Sequence, residues 1–109
     1  MPTTYKVLGQ VNPSATTATT LYTVGAGKSA VVSTIAVCNQ AATSATYRIA
    51  IRVAGSALSA EEYIAYDSTV AANDSTMLTI GITLAATDVI TVYASSANLS
   101  FNAFGSEIS

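Results

Sequence analysis

The stretch Ala45-Thr46-Tyr47-Arg48-Ile49-Ala50-Ile51-Arg52-Val53 decides the fold class. Tyr47, Ile49, Ile51 and Val53 alternate with Arg48, Ala50 and Arg52. Successive side chains of a β-strand point to opposite faces, so the first set reads as a core face and the second as facing solvent or a neighbour.

The same period-two pattern extends in both directions. Tyr5–Leu8 and Leu21–Val24 are candidate strands near the start. In Val31–Cys38, Val31, Ser33, Ile35 and Val37 alternate with Val32, Thr34, Ala36 and Cys38, which suits a central strand. Ile64 and Tyr66 fall opposite Tyr63 and Ala65. Leu78, Ile80, Ile82 and Leu84 share one side of a single segment, Ile90 and Val92 oppose Val89, Thr91 and Tyr93, and Leu99–Phe104 closes the series. Turn-forming residues separate these segments, as in Asn12-Pro13-Ser14, Gly25-Ala26-Gly27, Asn39-Gln40, Gly55-Ser56, Asn73-Asp74-Ser75, Thr87-Asp88 and Ser95-Ser96. Only Ala57–Glu62 suggests a single short helical turn. The expectation is one all-β domain over residues 1–109: an antiparallel β-sandwich of about eight strands, jelly-roll-like. An immunoglobulin-like sandwich is the competitor, although one Cys and no Trp deny it the usual Cys…Trp…Cys signature.

Composition narrows the function. Half of the 109 residues are hydrophobic and only 9% are charged, so the chain has the reverse of a disordered composition. Four basic residues and a net charge of −2 are too little to neutralise phosphates, so neither nucleic acid nor an anionic membrane surface is an expected partner. So little charge also means weak repulsion between copies, which permits dense assembly. Met1-Pro2-Thr3-Thr4 has neither the basic region nor the apolar stretch of a secretory leader, and no apolar run reaches the roughly 18 residues of a membrane span. Synthesis in a cytoplasm is the expectation.

Catalytic and cofactor chemistry is poorly supplied. Gly25-Ala26-Gly27-Lys28-Ser29-Ala30 matches a dinucleotide-binding fingerprint, but a strand-like Val31-Val32-Ser33-Thr34-Ile35 follows where a helix N-terminus should hold the pyrophosphate. A hairpin turn is the preferred reading. There is no His to serve as general base. Cys38 is the single cysteine, read as a small buried hydrophobe. Zinc, copper and iron sites draw on His or several Cys, and calcium would need Asp67, Asn73, Asp74 and Asp88 to converge. The expectation is a non-enzymatic chain with no cofactor. The residues singled out for contact with a partner are Arg48, Arg52, Tyr63 and Tyr66, with the arginines suited to carboxylates or backbone carbonyls of a neighbour.

Tyr5-Lys6-Val7-Leu8-Gly9-Gln10, Val31–Asn39, Tyr63-Ile64-Ala65-Tyr66-Asp67, Leu84–Ala94 and Leu99–Gly105 together resemble small virion proteins of tailed bacteriophages, especially cyanophages. The likeness spans most of the chain but consists of β-pattern and small-residue wording, with no chemical motif. It implies a structural role: a capsid cement or decoration protein, or alternatively a neck, tail or baseplate component. The implied location is the virion, with synthesis in the host cytoplasm. The implied partners are the major capsid protein or other virion subunits, and a homo-oligomer is expected, a trimer by preference. A lectin-like module for host-surface glycans, lined by tyrosines, is the alternative from another functional class.

Overall fold

The computed structural model describes residues 3–109, so Met1 and Pro2 of the leader reading lie outside the described residues. Among the described residues nine strands follow in order: β1 Thr3–Val11, β2 Thr19–Thr23, β3 Ser29–Asn39, β4 Ala45–Arg52, β5 Tyr63–Val70, β6 Ser75–Leu78, β7 Ile82–Leu84, β8 Val89–Ala94 and β9 Leu99–Ile108. They form two antiparallel sheets. Sheet A runs β1-β9-β3-β6, with β7 also on β3, and sheet B runs β2-β8-β4-β5.

The pairing is nested: β1 with β9, β2 with β8, β3 with β6 and β7, β4 with β5. One long antiparallel ribbon has been folded over on itself, which is the jelly roll. The immunoglobulin-like alternative gives way to this strand order. Ile35, Val37, Leu99 and Phe101 from sheet A meet Tyr47, Ile49, Ile90 and Val92 from sheet B in a common core. Tyr47 and Phe101 join the layers edge to face, ring centroids 6.2 Å apart.

Bulges account for several departures from the simple alternation. In β3 the register against β9 shifts between Val32 and Thr34, leaving Ser33 as the extra residue. One extra residue reverses which side chains face inward. Ala30 and Val32 are therefore buried before the bulge, and Ile35, Val37 and Asn39 after it. Val31 does not share a face with Ile35, and Cys38 is a half-exposed residue on the outer side. The same bulge explains why the expected strand over 77–84 is two strands. β6 pairs with Ile35–Cys38 and β7 with Ala30–Val32, while the chain between them detaches around Gly81 and leaves Ile80 exposed.

The Gly25–Lys28 segment is a turn, closed by the Lys28 N–H donating to the Gly25 carbonyl at 3.2 Å. It joins β2 of one sheet to β3 of the other, so it is an inter-sheet connection and not a hairpin. β4 stops at Arg52, and Val53, expected in the core, is 65% exposed at the start of a turn through Ala54 and Gly55.

Polar side chains hold the connections. Asn39 is fully buried. Its amide donates to the carbonyls of Thr43, Val70 and Ala71 at 2.9, 3.2 and 3.2 Å, and its oxygen accepts from the Ala41 N–H at 3.0 Å. It thereby ties the β3–β4 loop to the β5–β6 loop. At the edge of the sandwich Glu107 accepts from the Tyr22 hydroxyl at 2.7 Å and pairs with Lys6 at 3.2 Å and Lys28 at 3.5 Å. The Tyr22 hydroxyl first, then Lys6, holds its carboxyl below the usual range.

Candidate functional site

Three strands of sheet B build a compact cluster on its outer face. β4 supplies Arg48, β8 supplies Tyr93 directly opposite it, and β5 supplies Tyr63, Tyr66 and Asp67. Tyr63 and Tyr66 are three residues apart, so a regular strand would send them to opposite faces. Two bulges in β5 prevent this. Ile49 pairs with Ala65 and Ala50 with Tyr63, which makes Ile64 an extra residue and brings Tyr63 to the outer side with Ala50. Tyr47 pairs with Ser68, so Tyr66 and Asp67 both stand opposite Arg48. Asp67 occupies the second bulge with a φ of 51°, a left-handed conformation that Asp tolerates better than most residues.

The bulges aim the side chains at one another, a common use of such irregularities. The Arg48 guanidinium lies 4.2 Å from the Tyr66 ring centroid and 4.3 Å from that of Tyr93, within cation–π range of both. Its Nε donates to Asp67 Oδ1 at 2.7 Å and its Nη2 to Oδ2 at 3.3 Å, a bidentate pair. Tyr63 packs edge to face on Tyr66 at 5.0 Å. The hydrogen bond from Arg48 holds the Asp67 carboxyl below the usual carboxylate range, and Asp67 raises the Arg48 guanidinium in return. Asp67 is exposed and Arg48 half-buried, so salt still screens the pair.

Chemically, this is a pre-ordered donor. A guanidinium carries five N–H donors, and Asp67 engages two of them. The remaining donors lie in the guanidinium plane, where a carbonyl or carboxylate from another molecule can accept them. Because the tyrosines already hold Arg48 in place, little side-chain freedom remains to be lost on binding.

Arg52 lies on the same strand but is used differently. Its Nε donates to the Ser56 carbonyl at 2.6 Å and its Nη2 to the Gly55 carbonyl at 2.9 Å, fixing the turn after β4. Asp88 holds that turn from below, accepting from the Ala54 and Ala85 N–H groups, both at 2.9 Å. Further along, Glu62 accepts from the Ser59 N–H and the Ser56 hydroxyl, at the start of a short 3-10 turn over Ala60–Glu62. Held in this way, the segment 53–62 lies over part of the outer face, where Ala50 and Thr91 are buried. A shallow cleft of about 590 Å³ lies between this segment and the tyrosines, lined by Leu58, Ser59, Ala60, Tyr63 and Tyr66.

No family model matches this chain, and no curated protein matches it.

Of the residues expected to meet a partner, the structure gathers Arg48, Tyr63 and Tyr66 and sets Arg52 apart on its own backbone. It adds Tyr93 and Asp67 to the cluster. The only trace of the decisive bulge in the sequence is an Asp within an aromatic-rich strand, a residue disfavoured in regular strands and tolerant of left-handed backbone. The three aspartates of the suggested calcium set are each engaged elsewhere. Asp67 is engaged by Arg48, Asp88 by two backbone N–H groups, and Asp74 by the N–H of Ser75. Among the described residues no three His, Cys, Asp or Glu side chains come together.

Proposed function

We propose that this chain is a non-enzymatic virion structural protein, a capsid cement or decoration protein that binds the assembled shell through the outer face of sheet B around Arg48. The observation that carries the reading is the Tyr66–Arg48–Tyr93 stack on the outer face, with Tyr66 exposed, Arg48 and Tyr93 half-buried, and Asp67 paired to Arg48. Arginine and tyrosine are among the residue types most enriched at the anchors of protein interfaces, and here they are pre-ordered on a sheet. A chain with so few charges has little to keep subunits apart once this anchor engages. Many copies, each binding modestly, gain their effect through multiplicity. The jelly roll is compatible with this role but does not choose it, since the fold serves capsid and lectin domains alike.

The test is to mix the purified protein with empty phage shells, image them, and measure binding for Arg48→Ala and Tyr66→Ala. Regular density over the capsid lattice is expected, with at least about tenfold weaker binding for either variant. Density confined to the tail vertex would move the protein to the neck or tail. No binding to any part of the particle, or unchanged binding by both variants, would overturn the proposal.

The cleft beside Tyr63 and Tyr66 favours one second reading, a lectin-like module. Saturable binding on a glycan array, lost in Tyr66→Ala, would support that reading in place of the first.

A further inference from the structure

The two sheets present four lateral edges, and three of them are blunted. β2 is five residues long and shifts register between Thr20 and Tyr22. β5 carries its two bulges. The edge of sheet A opposite β1 is divided into β6 and β7, of four and three residues. Short, bulged or interrupted strands are how sheets avoid pairing edge to edge with other chains.

β1 has no such protection over its first half. Among the described residues it pairs on one side only, with β9. Thr3–Val7 keep an unbroken register against Ile108–Phe104, and the bulge comes only afterwards, between Val7 and Gly9. All five residues are exposed, Tyr5 at 85%. The single charge among them, Lys6, is turned onto Glu107. The outward-facing backbone N–H and C=O groups of this segment form a flat, nearly uncharged pairing template.

We propose that Thr3–Val7 pairs with the same segment of a second copy of this chain, antiparallel across a two-fold axis through Tyr5, joining the two A sheets into one. The segment is self-complementary in this register. On the outer face Tyr5 meets Tyr5 of the second copy, flanked on either side by Thr3 opposite Val7. Cross-strand aromatic and β-branched pairs of this kind are favourable. On the other face Thr4 lies opposite Lys6, so like charges never meet. Moving the axis to Lys6 would oppose the two ammonium groups, and moving it to Val7 would bring the bulge into the ladder.

The outer side adds apolar contact. A shallow cleft of about 520 Å³ runs beside the strand, lined by Tyr5, Val7, Val31 and Phe104 among others, and the two-fold brings both copies' clefts together. A two-fold needs only one surface, used by both copies. A trimer closed through this edge would have to seat β1 on one of the three blunted edges. The five-residue pair buries less than the roughly 1,200–2,000 Å² of a standard interface, so the dimer is weak and concentration dependent.

Sedimentation velocity of the full chain from about 10 µM to about 1 mM should show monomer passing into dimer, as expected for a dissociation constant near 100 µM. Tyr5→Lys should remain monomeric throughout, with unchanged circular dichroism. In a Cys38→Ser background, Tyr5→Cys should oxidise to a cross-linked dimer. Thr4→Cys should cross-link at least about tenfold more slowly, because this register sets the two position-4 Cα atoms beyond the roughly 7 Å that a disulfide spans. Wild-type protein that stays monomeric at 1 mM or forms trimers would overturn the proposal. So would equal cross-linking at positions 4 and 5, a result that remains decisive if Tyr5→Lys fails to fold. Neither arm involves Arg48 or a shell, so this proposal and the functional one stand or fall separately.

Discussion

Replacing Asn39 with Ala is expected to destabilise the domain by roughly 3–4 kcal/mol. The magnitude follows from what the side chain holds. Its two amide protons serve three carbonyls, at 2.9, 3.2 and 3.2 Å, and its oxygen takes the Ala41 N–H at 3.0 Å. That amounts to about three effective hydrogen bonds worth roughly 1 kcal/mol each, with a further penalty because the site is closed to water and its partners lose their only side-chain mate. A domain of this size has about 5–15 kcal/mol in all, so a fifth or more of its stability rests on one side chain. At about 4 °C per kcal/mol the midpoint should drop by about 12–16 °C. Urea unfolding followed by circular dichroism would measure this, with an unchanged m-value showing that the unfolded state is not the cause. Asn39→Asp supplies the more specific control. It preserves shape and the acceptor for Ala41 but turns an oxygen towards three carbonyls, so it should be at least as damaging at neutral pH. A loss below about 1 kcal/mol for Asn39→Ala, or wild-type stability for Asn39→Asp, would refute the role assigned to this residue.

Three further outcomes can be measured in the same assay. A Cβ at Gly105 would run into the Val31 carbonyl where β9 crosses the β3 bulge, so Gly105→Ala should cost at least about 3 kcal/mol, and a loss under about 1 kcal/mol would mean the strands part easily there. Thr91 Oγ1 is buried with no hydrogen-bond partner, so Thr91→Val, which keeps the shape, should stabilise by about 1 kcal/mol; a loss would show that the hydroxyl is satisfied. Stability should be flat between about pH 5 and pH 8, since the chain has no His. Glu107, Asp67 and Glu61 have carboxyls held below their ordinary range, by Tyr22, Arg48 and Ser59 respectively. Their stabilising effect is complete above the ordinary carboxylate range and is lost as pH falls through the folded-state values. Burial, reinforced by Glu107, pushes the Tyr22 hydroxyl up, so the folded chain keeps that proton while the unfolded chain releases it near pH 10. Stability should therefore also decline above pH 10, and Tyr22→Phe should remove that decline.

The strands themselves are legible because period-two alternation is a local property: seven of the nine stand out as separate segments, and β6 and β7 read together as an eighth. The interruptions are not. Ser33 in β3 and Ile64 in β5 look like ordinary strand residues, and Asp67 is only a faint sign of the second β5 bulge, yet each bulge adds a residue that only the partner strand's register reveals. Simple alternation therefore puts Val31 and Ile35 on one face, runs residues 77–84 together as one strand, and sends Tyr63 and Tyr66 to opposite faces. The candidate site was half legible. Arg48, Tyr63 and Tyr66 attract attention as exposed-side charge and aromatics in a chain poor in both. Arg52 looked equivalent to Arg48 because they share a strand and a parity, but whether a guanidinium faces a partner or its own turn depends on where the chain goes after the strand ends.

An all-β, weakly charged sandwich poor in catalytic side chains is written along the chain, because alternation, composition and turn chemistry act through sequence neighbours. The nested jelly-roll order, the tying of two loops by Asn39, the clamping of Arg48 between two tyrosines and the open edge at Thr3–Val7 emerge from the three-dimensional packing. Each of these depends on which strand lies beside which. That is settled by packing two apolar faces against each other, at sequence separations that no local pattern encodes.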